Sequence, residues 1–194
     1  MHIAIEGLDG AGKTSAARLL ASQIGYVYQE NPIYRLVGQE GANHFLKSLC
    51  EVKGDLHSDI AAFFYGAGNL YLNFLKKEAN IITDRHLCST YLWNKTAEND
   101  DIFRVLIRHC EKPDLTVILY ADAKVRRQRI IERNPQDIDL SDTDVFDDKR
   151  YQKALSFVEE YGMNYFWLDN SRLSVSETVN RIRDILLERF PNQL

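Results

Sequence analysis

The chain is poor in the residues that staple, break or anchor a fold: of 194 residues only 3 are cysteines, 4 prolines and 2 tryptophans. Cys50, Cys88 and Cys110 are odd in number, widely spaced and form no C-x-x-C pair, which argues against a disulfide framework and a zinc site. Free thiols in a reducing cytoplasm are the expectation. No apolar run approaches the length of a membrane span, and the N-terminal one, Ile3 to Ile5, stops at Glu6, too short for a signal peptide. No membrane partner is expected. Neither charge dominates: 24 Lys and Arg against 28 Asp and Glu leave a net charge of -4, with no broad basic footprint for a nucleic acid polymer. Hydrophobic residues at 45% and charged residues at 27% are ordinary globular values, so one core is affordable at this length. No repeat, low-complexity tract or linker divides the chain, and one domain over 1–194 is expected.

What is present begins with "GLDGAGKT", Gly7 to Thr14, which fits the phosphate-loop pattern G-x-x-x-x-G-K-[ST] at every fixed position. Its context is right: Met1 to Glu6 reads as a strand, and Ala16, Ala17, Leu19, Leu20 and Ile24 give the following residues a helical period. Further on, Tyr26 to Gln29 reads as a strand, Tyr34 to Val52 and Ser58 to Lys77 as helices, and "NIITD" (80–84) and "DLTVILYAD" (114–122) as central parallel strands. Ala123 to Arg133 reads as a helix, 134–148 as a polar acidic loop, Phe146 to Tyr161 as a helix, Tyr165 to Leu168 as a strand and Val175 to Phe190 as a helix. Alternating strands and helices predict an α/β fold with a mostly parallel five-stranded sheet, helices on both faces and a lid segment over about 126–148.

In such a loop the backbone N–H groups of Gly7, Leu8, Asp9, Gly10, Ala11 and Gly12, with Lys13, Thr14 and Ser15 opening the helix, cradle phosphate oxygens. Lys13 reaches the β- and γ-phosphates of ATP and Thr14 coordinates Mg²⁺. Asp84 ends a strand at the carboxyl edge of the sheet, where open α/β sheets bind ligands, and is the second expected metal-side group. Arg85 beside it faces phosphate. Arg126, Arg129 and Arg133 share one helix face at i, i+3, i+7 spacing, and an arginine from it is a candidate to neutralise a transferring phosphoryl group, against the plain alternative of a solvated face. Phe63, Phe64, Tyr65, Tyr91 and Trp93 are stacking candidates for a planar base, against core packing.

"IAIEGLDGAGKT", "FFYGAGNLYL" at 63–72, "TDRHLCSTYLWN" at 83–94 and "PDLTVILYADAKVRRQRI" at 113–130 together resemble the thymidylate kinase family. The resemblance implies a P-loop fold, usually a homodimer, that transfers the γ-phosphate of MgATP to a deoxynucleoside monophosphate, dTMP first. It implies Asp9 near the acceptor sugar, Arg85 near the phosphates, Phe64 near the base, and Tyr91, Trp93 and Asn94 on the acceptor side. Ala11 means that the loop supplies no basic catalytic residue, which leaves Arg126, Arg129 or Arg133. The chain departs from the family where an acceptor-side arginine is usual: Gly68 stands in the α-helical motif and Gln29 before Glu30, with Arg35 as the candidate replacement. Those departures suit an alternative, a deoxynucleoside kinase acting on a neutral 5′-hydroxyl, with Glu30 as general base. A third reading, a GTP-binding switch protein, requires an N-K-x-D motif, and "NKTA" at 94–97 lacks its carboxylate.

Overall fold

The strands carry almost unbroken apolar sequence because both faces of the sheet are covered: every residue of β1 (His2–Glu6) and all but the last of β4 (Leu115–Tyr120) are buried. The computed structural model describes residues 1–191, so the last three residues of the expected 1–194 domain lie outside the described residues. In chain order the elements are β1, α1 (Lys13–Ile24), β2 (Val27–Glu30), α2 (Tyr34–Leu49), α3 (Asp55–Glu78), β3 (Ile81–Asp84), α4 (Leu87–Asn94), α5 (Asp100–His109), β4, α6 (Ala123–Arg133), α7 (Lys149–Glu160), β5 (Tyr165–Asp169) and α8 (Val175–Arg189). Two short 3₁₀ turns, Ile138–Leu140 and Thr143–Phe146, lie between α6 and α7.

All strand pairs are parallel, as the alternating pattern predicts, and the strand order is β2-β3-β1-β4-β5. The period-2 rule divides the core. Val117 and Leu119 of β4 join Ile3, Ile5, the α1 residues Ala16, Ala17 and Leu20, and Val179, Ile182 and Leu186 of α8. Ile118, between them, joins Leu8, Ala62, Leu87, Phe103 and Phe157 from the loop, α3, α4, α5 and α7 on the other face. The register sets Glu30 opposite Asp84 and Asp84 opposite Ile5, so the carboxyl ends of β2, β3 and β1 finish side by side at one edge.

Two helices escape the sequence reading. Helix α4 has 8 residues, of which six are buried, so it carries no polar face to announce a helical period. Helix α5 has only 10 residues. Helix α2 ends at Leu49 rather than Val52 and contains a break at Gly38, whose φ of 71° and ψ of 165° no helix accommodates. Phe146 belongs to a 3₁₀ turn, and α7 starts three residues later than expected.

Candidate active site

Between β1 and α1 the chain must turn within a few residues, and Gly10 and Gly12 do so at φ of 79° and 89°, in the region that disfavours side chains. Gly12 is the last residue before α1, so the loop ends on the helix N-terminus, with its unpaired N–H groups and positive dipole end. Lys13 is buried; its Nζ donates to the Leu8 carbonyl at 2.9 Å and lies 3.6 Å from the Asp9 carboxylate. Burial and the nearby Arg85 charge push the Lys13 ammonium below its ordinary range, with Asp9, Asp84 and Glu6 opposing. Thr14 donates its hydroxyl to Asp84 Oδ2, and Asp84 Oδ1 is buried with no hydrogen-bond partner.

Arg85 occupies the residue after β3 with φ of 78°, a left-handed conformation that costs a non-glycine residue energy and is held by an Arg85 N–H bond to the Ile5 carbonyl at 3.0 Å. Its guanidinium donates to Asp9 Oδ1. Burial alone would raise the Asp9 carboxyl, but Arg85 and Lys13 outweigh it and hold it well below the usual carboxylate range. Burial would likewise lower Arg85, and Asp9, Asp84 and Glu6 overcome it, so both members of the pair are charged.

Two adjoining cavities flank this pair. The first, about 750 Å³, is lined by Gly10, Gly12, Lys13, Thr14 and Ser15 of the loop, by Asp84, by Arg129 and Arg133 of α6, and by Asn170, Leu173 and Val175 after β5. The second, about 660 Å³, is lined by Ala61, Tyr65 and Asn69 of α3, by His86, Ser89, Thr90, Trp93 and Asn94 around α4, and by Asp139, Asp142 and Val145 from the α6–α7 connection. Asp9, Asn31, Tyr34 and Arg85 line both. A group held in one cavity can therefore meet a group held in the other only at these four residues.

The second wall exists because of Glu6. This residue is 1% exposed at the end of β1, and its Oε1 accepts from the backbone N–H of His86 at 2.8 Å and of Ser89 at 3.2 Å, while Oε2 accepts the Ser89 hydroxyl. It caps the N-terminus of α4 from outside the helix. Burial outweighs these bonds and pushes the Glu6 carboxyl up. With α4 so fixed, residues 86, 89, 90, 93 and 94 share a face and reach the cavity. Arg150 of α7 stacks on the Trp93 ring at 4.5 Å and bonds Asp144 at 2.6 Å, which ties that ring to the α6–α7 connection.

Several expected positions fall elsewhere. Phe64 does not line the second cavity: it stacks on Phe45 of α2 with centroids 3.8 Å apart, and its neighbour Tyr65 is on the cavity face with His57, Ala61 and Asn69. Tyr91 packs against Phe103 and Phe157 at 5.1 and 4.6 Å, on the side of α4 away from Trp93 and Asn94, which do line the cavity. Gly68 is buried against the chain at Ile33 and lines neither cavity. Arg126 is 0% exposed and also lines neither, its guanidinium bonded on all sides. Arg129 and Arg133 do line the first. Arg129 donates to the Asn170 carbonyl at 2.9 Å and to the Ala11 carbonyl at 3.4 Å, whereas Arg133 is largely exposed and paired with Asp137 at 2.6 Å. Glu30 lines the first cavity and is ion-paired with Arg18 at 2.9 Å. Asn94 of the "NKTA" stretch faces the second cavity, not the loop.

Other site residues carry no motif. Asn170 donates its amide to the Ala11 carbonyl at 2.8 Å and so braces the loop from 159 residues away. Asn69, 2% exposed, donates to the Thr90 hydroxyl at 2.9 Å and joins α3 to α4 across the cavity floor.

A model of the family described as thymidylate kinase matches residues 5–182. The chain belongs to the thymidylate kinase family. Its relatives include a probable thymidylate kinase of Methanocaldococcus jannaschii, 27% identical over 187 residues that cover 94% of this chain and 93% of that protein. A thymidylate kinase of Wolbachia pipientis is 30% identical over 148 residues, 69% of this chain and 71% of that protein. Among solved structures, a deoxyadenosine kinase from M. mycoides superposes with a TM-score of 0.71 at 18% identity, over 97% of this chain and 100% of the other, a likeness of fold. This family member is thus a thymidylate kinase-like nucleotide kinase, an ATP-dependent phosphotransferase. No helix among the described residues is long and apolar enough to cross a membrane.

Proposed function

We propose that this kinase holds ATP in the first cavity and dTMP in the second, and moves the γ-phosphate between them at Arg85. The observation that carries the reading is the sharing of Asp9, Asn31, Tyr34 and Arg85 by both cavities, because in-line transfer needs donor and acceptor to meet at one charged point. Lys13 exchanges its bond to the Leu8 carbonyl for the β- and γ-phosphates. Arg85, fully charged, stabilises the negative charge that spreads over the equatorial oxygens. Asp9 keeps the guanidinium aimed at that point and accepts from the acceptor sugar. Arg129 and Arg133, in the first cavity, are the two arginines of α6 placed to approach the phosphates, with the 126–148 segment as a lid. Gly7, Leu8, Gly10, Ala11, Gly12 and Ser15 contribute backbone donors.

Thr14 and Asp84 fit Mg²⁺. The hydroxyl and carboxylate are in contact, and the orphaned Asp84 Oδ1 is a buried oxygen with nothing to satisfy it. No group of three or more metal-ligating His, Cys, Asp or Glu residues occurs among the described residues, in keeping with an ion that shares its shell between few protein oxygens, phosphate and water. Thr14 and Asp84 would hold the ion, which would supply positive charge to offset that of the phosphates.

The composition of the second cavity supports another acceptor, a neutral deoxynucleoside. Asp9, Asp139 and Asp142 line it against one cation, Arg85, already paired with Asp9, and a phosphate dianion there gains no free partner. Glu30, which lines the first cavity beside the shared Asn31, is then the general base. The two readings separate on a turnover panel of deoxynucleosides and their monophosphates with ATP and Mg²⁺. ADP formation with dTMP establishes the first; ADP formation with thymidine or another nucleoside, abolished by Glu30→Gln, replaces it by the second.

We further propose a homodimer through α3, where Leu56, Phe63, Leu70 and Phe74 are exposed at near-heptad spacing with no partner element over them. A reducing cytoplasm suits the free thiols of Cys50, Cys88 and Cys110.

A further inference from the structure

Arg126 lies in neither cavity, yet it heads the large side chains that are fully buried among the described residues. A guanidinium is kept in such a place only when its fork is satisfied, since an unpaired buried charge is strongly unfavourable. Here Nε donates to the Ala121 carbonyl at 2.9 Å, and Nη1 to the Val145 carbonyl at 2.6 Å and the Asp9 carbonyl at 3.4 Å. Nη2 donates to Asp148 Oδ1 at 2.8 Å, the one carboxylate paired with it among the described residues. The rings of Phe146 and Tyr151 flank it at 5.7 Å each.

These partners come from two separate parts of the site. Asp9 belongs to the phosphate loop, and the loop touches the same residue a second time: a Cβ on Gly10 would lie 2.5 Å from the Arg126 carbonyl oxygen. Val145 and Asp148 belong to the α6–α7 connection, whose Asp139, Asp142 and Val145 form a wall of the second cavity. Lifting that wall withdraws Val145 and Asp148 from the guanidinium and leaves its charge buried, with the Asp9 carbonyl as the remaining partner on that arm. Seating the wall restores both and pins the loop.

We infer that Arg126 is a positioning residue that couples closure over the acceptor to the donor-binding shape of the phosphate loop, so that each ligand tightens the other. The inference rests on the two-cavity reading but not on which acceptor is right. Linkage makes the effect reciprocal, and couplings of this kind typically run ~5–150-fold.

The test is a calorimetric titration of the full-length protein with a non-hydrolysable ATP analogue and Mg²⁺, with and without a saturating concentration of the acceptor that turns over in the panel above. The unaltered protein should bind the analogue several-fold more tightly when acceptor is present. D148N, which takes the charge partner from a buried guanidinium and is therefore first checked for native folding by its thermal melt, should bring that ratio close to one, and D148E should recover part of it. R126K, which keeps the charge but loses the fork, should lower the ratio like D148N. KM for each substrate, measured at saturation of the other, should then rise more than kcat falls. A ratio near one in the unaltered protein, or an undiminished ratio in both D148N and R126K, overturns the inference. A wrong acceptor reveals itself separately, as silence in the panel, whereas a wrong role for Arg126 shows in the titration.

Discussion

Gly68 of α3 and the backbone of Ile33 are in direct contact: a Cβ at Gly68 would lie 2.5 Å from Ile33 N and 2.8 Å from its Cα. The family's acceptor-side arginine therefore has no room at this position, and α3 uses the missing side chain to close onto the start of α2. Gly68→Ala should destabilise the protein by ~1–3 kcal/mol through overpacking against atoms that cannot rotate away. For a chain of this size that corresponds to a fall in Tm of several degrees, read by scanning calorimetry. Gly68→Arg should be worse and should not improve KM for dTMP. A stable Gly68→Arg protein with better acceptor binding would mean that α3 can stand off from Ile33.

How much of this could be read from sequence depends on how local each feature is. The strand–loop–helix around Gly7 to Thr14, Asp84 at the end of a strand, and the parallel five-stranded sheet follow from contiguous or strand-terminal patterns, and the structure has these elements there, with Thr14 and Asp84 lining the first cavity. Helix faces are harder, because one residue is a turn of 100°. Phe64 and Tyr65 are adjacent aromatics, and nothing in their spacing says which meets the cavity; the α2 ring of Phe45 decides it. The i, i+3, i+7 arginines of α6 do share a face, yet Arg126 is sealed by a connection 19 to 22 residues later while Arg133 stays in solvent. Glu6, Asn69 and Asn170 act through partners 21 to 159 residues away and carry no local mark.

Asp84→Asn should keep the fold and raise the Mg²⁺ concentration needed for half-maximal turnover by ~10–100-fold, as loss of one of few oxygen donors does. Activity as a function of Mg²⁺ at fixed ATP measures it. An unchanged Mg²⁺ dependence would remove Asp84 from the metal side and leave its buried Oδ1 unexplained.

His2 and His86 are buried with rings 5.1 Å apart, beneath the sheet edge. Burial, with Lys76 adding to it, holds His86 down at about 3, and burial, then the repulsion a protonated His86 would exert and the charge of Lys76, hold His2 well below its ordinary range. Both are neutral in the folded protein, so below the unfolded value near 6.5 only the unfolded chain takes up their protons. Their contribution is intact above that pH and is lost as pH falls from about 6.5 towards 3, at about 1.4 kcal/mol per pH unit for each histidine. Urea midpoints at pH 7 and pH 5 should show the loss, and the double substitution His2→Gln, His86→Gln should flatten it.

The exposed stripe on α3 makes a prediction about assembly. Phe63→Lys with Phe74→Lys should convert a dimer to monomer in sedimentation equilibrium while leaving the far-ultraviolet circular dichroism unchanged, because neither ring is buried in the protomer. A protein that is already monomeric at high concentration before substitution would remove α3 as an interface.

If Gly7 to Thr14 hold the phosphates of ATP, the γ-phosphate passes from there to an acceptor in the α3–α4 cavity. The most direct measurement follows ³²P from labelled ATP with dTMP and Mg²⁺, separating the products by chromatography, for the unaltered protein and for Lys13→Ala. Labelled dTDP should form with the first and not with the second, the two proteins being equally folded. Labelled dTMP in a parallel reaction with thymidine, with no dTDP from dTMP, would transfer the chemistry to the nucleoside reading, and equal product from Lys13→Ala would rule out transfer from this loop altogether.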